Sequence, residues 1–337
     1  MLSRVAQNIY WMSRYIERAE DTARLVNVNT NLLLDLPKNT QFGWRPVVLI
    51  TGGDRIFSKH FQEPSEANVV RFLLGDPRNP GSILSSLSAA RENLRTTRDV
   101  VPREAWEQIN DMFLYAKDKV DSGTTRRGRY EFLKRIILGA QQITGLLAGT
   151  MSRTHAYDFM LLGRYLERAD MTTRILDVRS ANLLIDQSGD LNPFDNIQWM
   201  SVLKSLTAYQ MYRQQVRLRV RAPDVVRFLL QDAAFPRSFL TCVLTMEDCL
   251  RKLPRNDEAI ANLLRLKQTV TSANIPNLVG PGTVFASTQS QSSGGQRQAQ
   301  AAAVPNAESR DLHTFADELQ IGLGQLHEQI ATTYFAR

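Results

Sequence analysis

The sequence predicts an all-α protein, a helical bundle formed by two tandem, diverged helical repeats with a pseudo-twofold relation. Apolar residues recur at steps of three and four over windows longer than a strand, which is the period of an α-helix. Alternating strand patterns are essentially absent, apart from the short stretch PVVLIT. One helical segment also occurs twice along the chain, so we expect the bundle to contain two related halves.

Two pairs of matching segments indicate the duplication. Residues 14–34 align without gaps to residues 164–184, and 10 of these 21 positions are identical. The segment VVRFLLGD at 69–76 recurs as VVRFLLQD at 225–232, with seven of eight residues identical. The segments occur in the same order in both halves. We therefore predict a first repeat over residues 1–148 and a second repeat over residues 149–337.

The two repeats are expected to differ in the segment that lies between these blocks. In the first repeat, the Gly52-Gly53 pair breaks any helix that begins near Val47, because two adjacent glycines favour a turn. The counterpart from Trp199 to Val220 contains no such pair. It is predicted to be one long, continuous helix.

Capping signals and composition predict the remaining elements. Ser82 and Ser238 each follow a turn that contains a proline, which is typical of a helix N-cap. Residues 274–309 are rich in Gln, Ser, Gly and Ala, and this composition predicts a flexible loop because it offers little apolar surface to bury. Further helices are predicted over residues 103–120, 129–147, 257–271 and 311–335.

The overall composition is that of an ordinary globular protein. The chain has 337 residues, of which 43% are hydrophobic and 22% charged, and a formal net charge of +7. No apolar run is long enough for a membrane-spanning helix, and the N-terminal segment carries charges where a signal peptide needs apolar residues. We expect a cytoplasmic protein without a membrane partner. Nucleic acid is a disfavoured partner, because the arginines are spread along the helices beside carboxylates.

The two cysteines are expected to be reduced. Cys242 and Cys249 are seven residues apart in a helical pattern, which places them about 10 Å apart and beyond the reach of a disulfide. Neither has an evident histidine partner in the sequence. We interpret both as small buried residues.

The repeated segment carries the candidate functional residues. In each copy, charged residues follow helical steps that place them on one face, opposite the apolar stripe. Two tyrosines recur beside them. The candidates for binding an anion or a partner are Arg14, Tyr15, Glu17, Arg18, Asp21 and Arg24 in the first copy and Arg164, Tyr165, Glu167, Arg168, Asp170 and Arg174 in the second.

Three interpretations of this face are open. It could be solvent-exposed, with pairs such as Glu17 with Arg14 that contribute only a few tenths of a kcal/mol each. It could lock the two copies together, a glutamate of one copy facing an arginine of the other. It could also form a polar pocket between the copies, because the guanidinium fork binds carboxylate or phosphate through two oxygens.

Other chemistries are poorly supported. The carboxylates of the motif are flanked by arginines that would repel a cation, and the four histidines lack the spacing of metal ligands. The sequence contains no Gly-rich phosphate loop or nucleophile elbow. We therefore predict no metal and no cofactor. A buried Glu17 or Glu167 could still act as a general acid or base.

The repeated motifs RYIERAE and RYLERAD, together with the N-terminal stretch SRVAQNIYWMSRYIERAEDTARL, resemble the signature of the bacterial alpha-E family, an α-helical domain with an ER motif. The resemblance covers nearly the whole chain. The signature falls on Glu17 and Arg18 and on Glu167 and Arg168. Members of this family are commonly encoded beside, or fused to, circularly permuted ATP-grasp proteins, with transglutaminase-like peptidases and proteasome-like hydrolases in the same neighbourhoods.

The resemblance implies a role in a system that forms, and in part removes, amide bonds on peptides. On this basis the chain is expected to be a helical partner subunit that does not bind ATP, while the ATP chemistry resides in the ATP-grasp partner. One alternative is a stand-alone enzyme of amide or peptide chemistry that uses a glutamate of the ER motif as acid or base. A second is a purely structural basic scaffold.

Overall fold

A computed structural model describes residues 3–35, 43–184, 195–216, 219–279 and 311–335. Within these ranges the fold is all-α, as the sequence predicts, with fifteen α-helices and no strand. A single π-helical turn over Ala331–Phe335 ends the described chain. The helices are α1 (Ser3–Asp35), α2 (Arg45–Ile50), α3 (Asp54–His60), α4 (Glu66–Leu74), α5 (Ile83–Arg95), α6 (Arg103–Thr124), α7 (Arg126–Thr150), α8 (His155–Leu184), α9 (Asp195–Ser205), α10 (Tyr209–Gln215), α11 (Ala222–Gln231), α12 (Phe239–Leu250), α13 (Asp257–Ser272), α14 (Ile275–Val279) and α15 (Leu312–Ile330).

The two longest helices, α1 and α8, form the centre of the bundle and carry the two ER motifs. They pack against each other more extensively than any other pair of described elements. Helices α5 and α7 cover α1, whereas α12 and α15 cover α8. Because both ER helices are surrounded in this way, their polar residues as well as their apolar stripes are withdrawn from water.

The helices that follow the repeated blocks begin at the predicted serines. The Ser82 hydroxyl accepts a hydrogen bond from the backbone N–H of Ser85 at 3.2 Å, and Ser238 accepts one from Thr241 at 3.1 Å. Each bond satisfies one of the N–H groups that the first turn of a helix leaves without an internal partner. Both predicted N-caps are confirmed.

The segment after the first ER helix is broken where the glycines predict a break. Helix α2 ends at Ile50, α3 begins at Asp54, and Gly52 adopts a φ of +69° in the turn between them. A positive φ is accessible to glycine at little steric cost.

The prediction of one continuous helix from Trp199 to Val220 is wrong, because α9 ends at Ser205 and α10 begins only at Tyr209. Thr207 adopts a φ of 56°, and the N–H of Ala208 donates to the carbonyl of Leu203 at 2.7 Å. This arrangement is a Schellman motif, which usually places glycine at the left-handed position. With threonine at this position, the end of α9 could not be predicted from the residues around it.

The C-terminal part of the chain returns to the bundle. Helix α15 packs along α8 and α13, with apolar residues such as Leu319 and Leu326 fully buried. The predicted loop over residues 274–309 needs one correction, since Ile275–Val279 forms the short helix α14 and buries three of its five side chains. Residues 280–309 lie outside the described part of the chain. Among the described helices, none combines the length and hydropathy that crossing a membrane requires.

Gly163 allows α8 to approach α1 closely at the start of the ER motif. A Cβ atom at this position would collide with the backbone carbonyl of Tyr10 and lie 2.5 Å from the hydroxyl of Ser13. Ser13 uses that hydroxyl to donate to the carbonyl of Met160 at 2.7 Å, which joins the two helices directly. This contact sets the helices close enough for their charged side chains to meet.

Replacing Gly163 with alanine should therefore lower the free energy of unfolding by about 1–3 kcal/mol, the range for overpacking a close contact. The measurement is urea denaturation followed by circular dichroism. Gly145→Ala is the matched control, because a Cβ there meets nothing within 4 Å. In the helix interior that control should gain up to about 1 kcal/mol. Equal midpoints for the two variants would contradict the assigned close approach.

Candidate functional site

The two ER motifs meet at the crossing of α1 and α8. Ser13 contacts Met160, and further along both helices Glu17 contacts Arg168. Helices α1 and α8 are therefore parallel over this stretch. The centre of the face that carries the motif residues is buried, with Glu17 only 1% and Glu167 only 3% exposed. The interpretation of a solvent-exposed, salt-bridged face is therefore wrong. The ER residues form ion pairs between the two helices.

Glu167 accepts hydrogen bonds from two arginines of α1. Arg18 binds it through both branches of the guanidinium, with Nε 2.6 Å from Oε1 and Nη2 3.1 Å from Oε2. Arg14 donates through Nε to Oε2 at 2.8 Å. Burial alone would raise the pKa of Glu167, but the charges and hydrogen bonds of Arg18 and Arg14 outweigh it and lower the pKa to about 2.

Glu17 is held in a reciprocal way by Arg168 of α8. Here Nε lies 2.6 Å from Oε1 and Nη2 lies 3.2 Å from Oε2. The second arginine at Glu17 is Arg237, whose Nη1 lies 2.9 Å from Oε1. Burial again opposes ionisation, yet Arg168 and Arg237 lower the pKa of Glu17 to about 2. Both ER glutamates are therefore ionised throughout the physiological range.

Arg237, which the motif did not reveal, extends the site to two further carboxyls. It lies just before α12 and is 7% exposed. Its Nη1 donates to Asp21 at 2.6 Å and its Nη2 to Glu20 at 3.1 Å. In the matching stretch of the sequence, Pro80-Gly81-Ser82, Gly81 lies between the proline and the capping serine. The only signal in the sequence was this substitution of arginine for glycine beside a shared N-cap.

Asp21 has an unusual protonation equilibrium within this cluster. It is 1% exposed, and its Oδ2 atom has no hydrogen-bond partner. Burial raises the pKa of Asp21 to about 7, with the negative charges of Glu17 and Glu20 adding to the effect of burial and Arg237 opposing it. The second ER helix carries Met171 at the matching position, so this titrating group exists on one side only.

The other predicted residues support the central pairs. Arg24 pairs with Glu20 at 2.6 Å, and Arg174 pairs with Asp170 at 2.8 Å, both one helical turn apart. The tyrosines flank the bidentate arginines, since the Arg18 guanidinium lies 5.5 Å from the ring centre of Tyr15 and the Arg168 guanidinium lies 5.2 Å from that of Tyr165. Such placement adds a cation–π attraction to each ion pair. The expected pair of Glu17 with Arg14 is not formed.

The C-terminal helix closes the Glu167 side of the site. His327 of α15 places Nδ1 2.9 Å from the Tyr10 hydroxyl and 3.4 Å from Nη1 of Arg14. Burial and the charge of Arg14 lower the pKa of His327, so the ring is neutral at physiological pH. Trp11 covers the same guanidinium at 4.7 Å. Arg14 is thus enclosed on several sides, and the sequence did not indicate a role for His327 or Trp11.

A cation is poorly matched to the ER cluster, because arginines surround its carboxylates. Elsewhere among the described residues, candidate ligand atoms of Asp177, His313 and Asp317 lie within 4.8 Å of one another near the surface. This group could not be predicted from the spacing of the histidines. His313 Nδ1 already lies 2.5 Å from Asp177, and this contact raises the pKa of the ring.

The cysteines of α12 are free and buried, as predicted. Burial raises the pKa of both thiols to about 12, which leaves them protonated and poorly nucleophilic.

Fold and site together define an all-helical protein with two buried, reciprocally paired ER motifs. Over residues 1–335 the chain matches the alpha-E family, described as a predicted alpha-helical domain with a conserved ER motif, and it therefore belongs to that family.

Similar proteins include two uncharacterised mycobacterial proteins, one from Mycobacterium bovis and one from Mycobacterium tuberculosis. Each is 20% identical over 269 residues, which cover 74% of this chain and 30% of the relative. The matched region thus spans less than a third of the length of these relatives. No solved structure matches the chain.

Proposed function

We propose that this chain is a non-ATP-binding helical subunit of an ATP-grasp-type system that forms amide or peptide bonds. In this role its paired ER helices hold an anionic group of the substrate. The observation that supports an accessory rather than a catalytic role is the state of the two ER glutamates. Each is buried, ionised and bound by two arginines. A carboxyl with a pKa of about 2 is a poor proton donor and a weak base near neutral pH.

The proposed partner is a circularly permuted ATP-grasp protein, with a transglutaminase-like peptidase as a further component. This association comes from membership of the alpha-E family. The relatives are more than three times as long as the matched region, which leaves room in them for further domains. Because the partner chemistry consumes ATP, the proposal places the complex in the cytoplasm.

The anion-binding part of the proposal is supported by the charge balance of the cluster. The ER-motif side chains and Arg237 together include the seven arginines 14, 18, 24, 164, 168, 174 and 237, whereas the carboxyls among them are Glu17, Glu20, Asp21, Glu167 and Asp170. Buried cations in excess favour an anion from outside the chain, since an unpaired charge loses its hydration without compensation. Because the ion-pairing atoms face one another inside the bundle, these residues suit a small anion better than a protein surface.

The test combines assembly with turnover. The chain and a circularly permuted ATP-grasp protein from the same gene neighbourhood are purified together, and ADP release is measured with and without the helical chain. We expect a stable complex and faster turnover in the presence of the chain. Arg18→Ala and Arg168→Ala should reduce turnover. Arg103→Ala, which alters an exposed ion pair on α6, is the control and should leave turnover unchanged.

Unchanged turnover in both ER variants, together with a complex like that of the wild type, would refute the proposed role of the ER helices. Absence of any complex at micromolar concentrations would refute the partnership itself. Thermal unfolding of each variant shows whether lost turnover reflects lost structure.

Asp21 favours a second candidate, a stand-alone enzyme of amide or peptide chemistry. A buried carboxyl with a pKa of about 7 and a free oxygen meets the requirements for a general acid or base better than either ER glutamate does. This alternative predicts that the purified chain alone turns over a peptide substrate and that Asp21→Asn abolishes turnover while the protein stays folded. Full activity of that variant would eliminate it.

A further inference from the structure

Arg164 is a buried arginine that has no carboxylate partner among the described residues. Its side chain belongs to the ER motif of α8, and the residue is 6% exposed. Arg14, which occupies the matching place in the first ER motif, donates to Glu167 at 2.8 Å. Burial and the nearby charge of Arg168 lower the pKa of Arg164, which is the direction expected for a cation without a counter-ion. The two matching arginines are therefore in different electrostatic environments.

The difference arises from Arg237. Each ER glutamate receives two arginines, and at Glu167 both come from α1. At Glu17 the first is Arg168, and the second is Arg237 instead of Arg164. The first repeat has glycine at the place of Arg237, so no such competition occurs at Glu167. Arg164 consequently forms no ion pair with Glu17, although the charge of Glu17 lies close enough to affect the pKa of Arg164.

A buried guanidinium without a counter-ion is energetically unfavourable. Removing a charge from water carries a desolvation penalty that only a counter-charge and hydrogen bonds offset. Neutralisation by proton loss does not relieve this penalty, because arginine stays protonated in proteins. A bound anion would supply the counter-charge that Arg164 lacks among the described residues. Its planar fork matches two oxygens of a carboxylate or a phosphate.

The neighbours of Arg164 suit an oxyanion. Arg168, Tyr157 and Tyr165 all lie near enough to contribute to its electrostatic environment. The phenolic hydroxyls can donate hydrogen bonds to an oxyanion. The field of Arg168 adds a second positive charge, although its Nε and Nη2 already bind Glu17.

We propose that Arg164 is the binding residue for the oxyanion of a small ligand, either a carboxylate or a phosphoryl group. This inference deepens the proposed function and rests on it only for the source of the ligand, which would be a substrate of the partner enzyme. Binding occurs on the Glu17 side of the ER cluster, with one anion per chain. Arg14 does not bind a second anion, because Glu167 already satisfies it.

The test uses the full chain alone, without an ATP-grasp protein. Equilibrium dialysis with radiolabelled inorganic phosphate and with radiolabelled acetate measures affinity and stoichiometry at constant ionic strength in sodium chloride. Thermal unfolding in the same series measures stabilisation, because a ligand that binds only the folded state raises the melting temperature with its concentration. We expect one bound anion and a rising melting temperature in the wild type. Arg164→Gln should lose both while its ligand-free melting temperature stays equal or rises.

Two variants make the test specific. Arg103→Gln is the control, because it removes an exposed arginine of α6 outside the ER cluster, and its melting temperature should keep the dependence on anion concentration. Arg164→Lys retains the charge but lacks the fork, so it should bind more weakly than the wild type. This second variant also keeps the test decisive if Arg164→Gln does not fold.

Each outcome has a defined meaning. Preference for acetate assigns a carboxylate ligand, and preference for phosphate assigns a phosphoryl ligand. The proposal is overturned if neither anion binds at tens of millimolar, or if Arg164→Gln and Arg164→Lys both bind like the wild type. Arg164-dependent binding without any complex with an ATP-grasp protein would support this site and contradict only the proposed function.

Discussion

Replacing Glu17 with alanine should lower the free energy of unfolding by about 3–5 kcal/mol, the range for removing one partner of a buried ion pair. Glu17 is 1% exposed and is bound by Arg168 and Arg237. Without it, the Arg168 guanidinium loses its ion-pair partner in the interior. Arg237 keeps only Asp21 and Glu20. The measurement is the midpoint of urea denaturation at pH 7.

Glu107→Ala is the control for this result. It removes the same type of side chain from an ion pair with Arg103, but the two side chains are 54% and 87% exposed. The expected change is within about 0.5 kcal/mol, because water and salt screen exposed pairs. Glu167→Ala should behave like Glu17→Ala. A loss at Glu17 as small as the loss at Glu107 would contradict the assigned lock between the helices.

The Glu17 variant should also change the protonation of Asp21. The negative charge of Glu17 contributes to the raised pKa of Asp21, so its removal should lower that pKa. Carboxyl carbon NMR measures the shift directly. An unchanged pKa would show that Glu17 and Asp21 are not coupled.

Replacing Asp21 with asparagine should stabilise the protein at pH 8 by on the order of 4 kcal/mol, since one pKa unit corresponds to about 1.4 kcal/mol. The folded-state pKa of Asp21 is raised from an ordinary value of 3.8 to about 7. For a raised pKa, the contribution of the group is fully present below the ordinary value and is lost as the pH rises through the folded value. The wild type should therefore lose this contribution between about pH 4 and pH 7, whereas Asp21→Asn should not.

Urea denaturation of both proteins at several pH values measures this difference. Asp111→Asn is the matched substitution at an exposed carboxyl, and the expected change in the free energy of unfolding is within about 0.5 kcal/mol. The contribution of the ER glutamates to stability depends on pH in the opposite direction, because their pKa values are lowered from 4.5 to about 2. Their stabilisation is present above about pH 4.5 and is lost as the pH falls toward 2. If the Asp21→Asn curve runs parallel to the wild-type curve from pH 4 to pH 8, the raised pKa is wrong.

Much of the fold could be predicted because helical periods and caps are local. The serine caps and the break at Gly52-Gly53 follow from a few neighbouring residues. The end of α9 could not be predicted from neighbouring residues, because Thr207 takes a left-handed conformation in which glycine is usual. The duplication and the two-repeat division remain predictions from the repeated blocks.

The residues of the candidate site were predicted from the sequence, but their arrangement was predicted only in part. Arg18 and Arg168 stood out because the same residue types recur at the same helical steps in both motifs. Their lock with the glutamates was one of the open interpretations. The burial of the two ER glutamates at the centre of this face was not apparent, since a polar face opposite an apolar stripe usually meets water. Only the covering helices α5, α7, α12 and α15 withdraw this face from solvent.

By itself, the sequence determined that the protein is helical and that two copies of an ER motif carry its distinctive charges. Tertiary structure alone decided which arginine pairs with which glutamate. Arg237 lies 216 residues from Asp21 along the chain, and no local pattern connects them. Protonation states likewise depend on burial and on charges brought together from distant segments. Arg164 and Asp21 differ from the rest of the motif, because Arg164 has no ion-pair partner among the described residues and Asp21 has a raised pKa. Both properties exist only in the folded bundle.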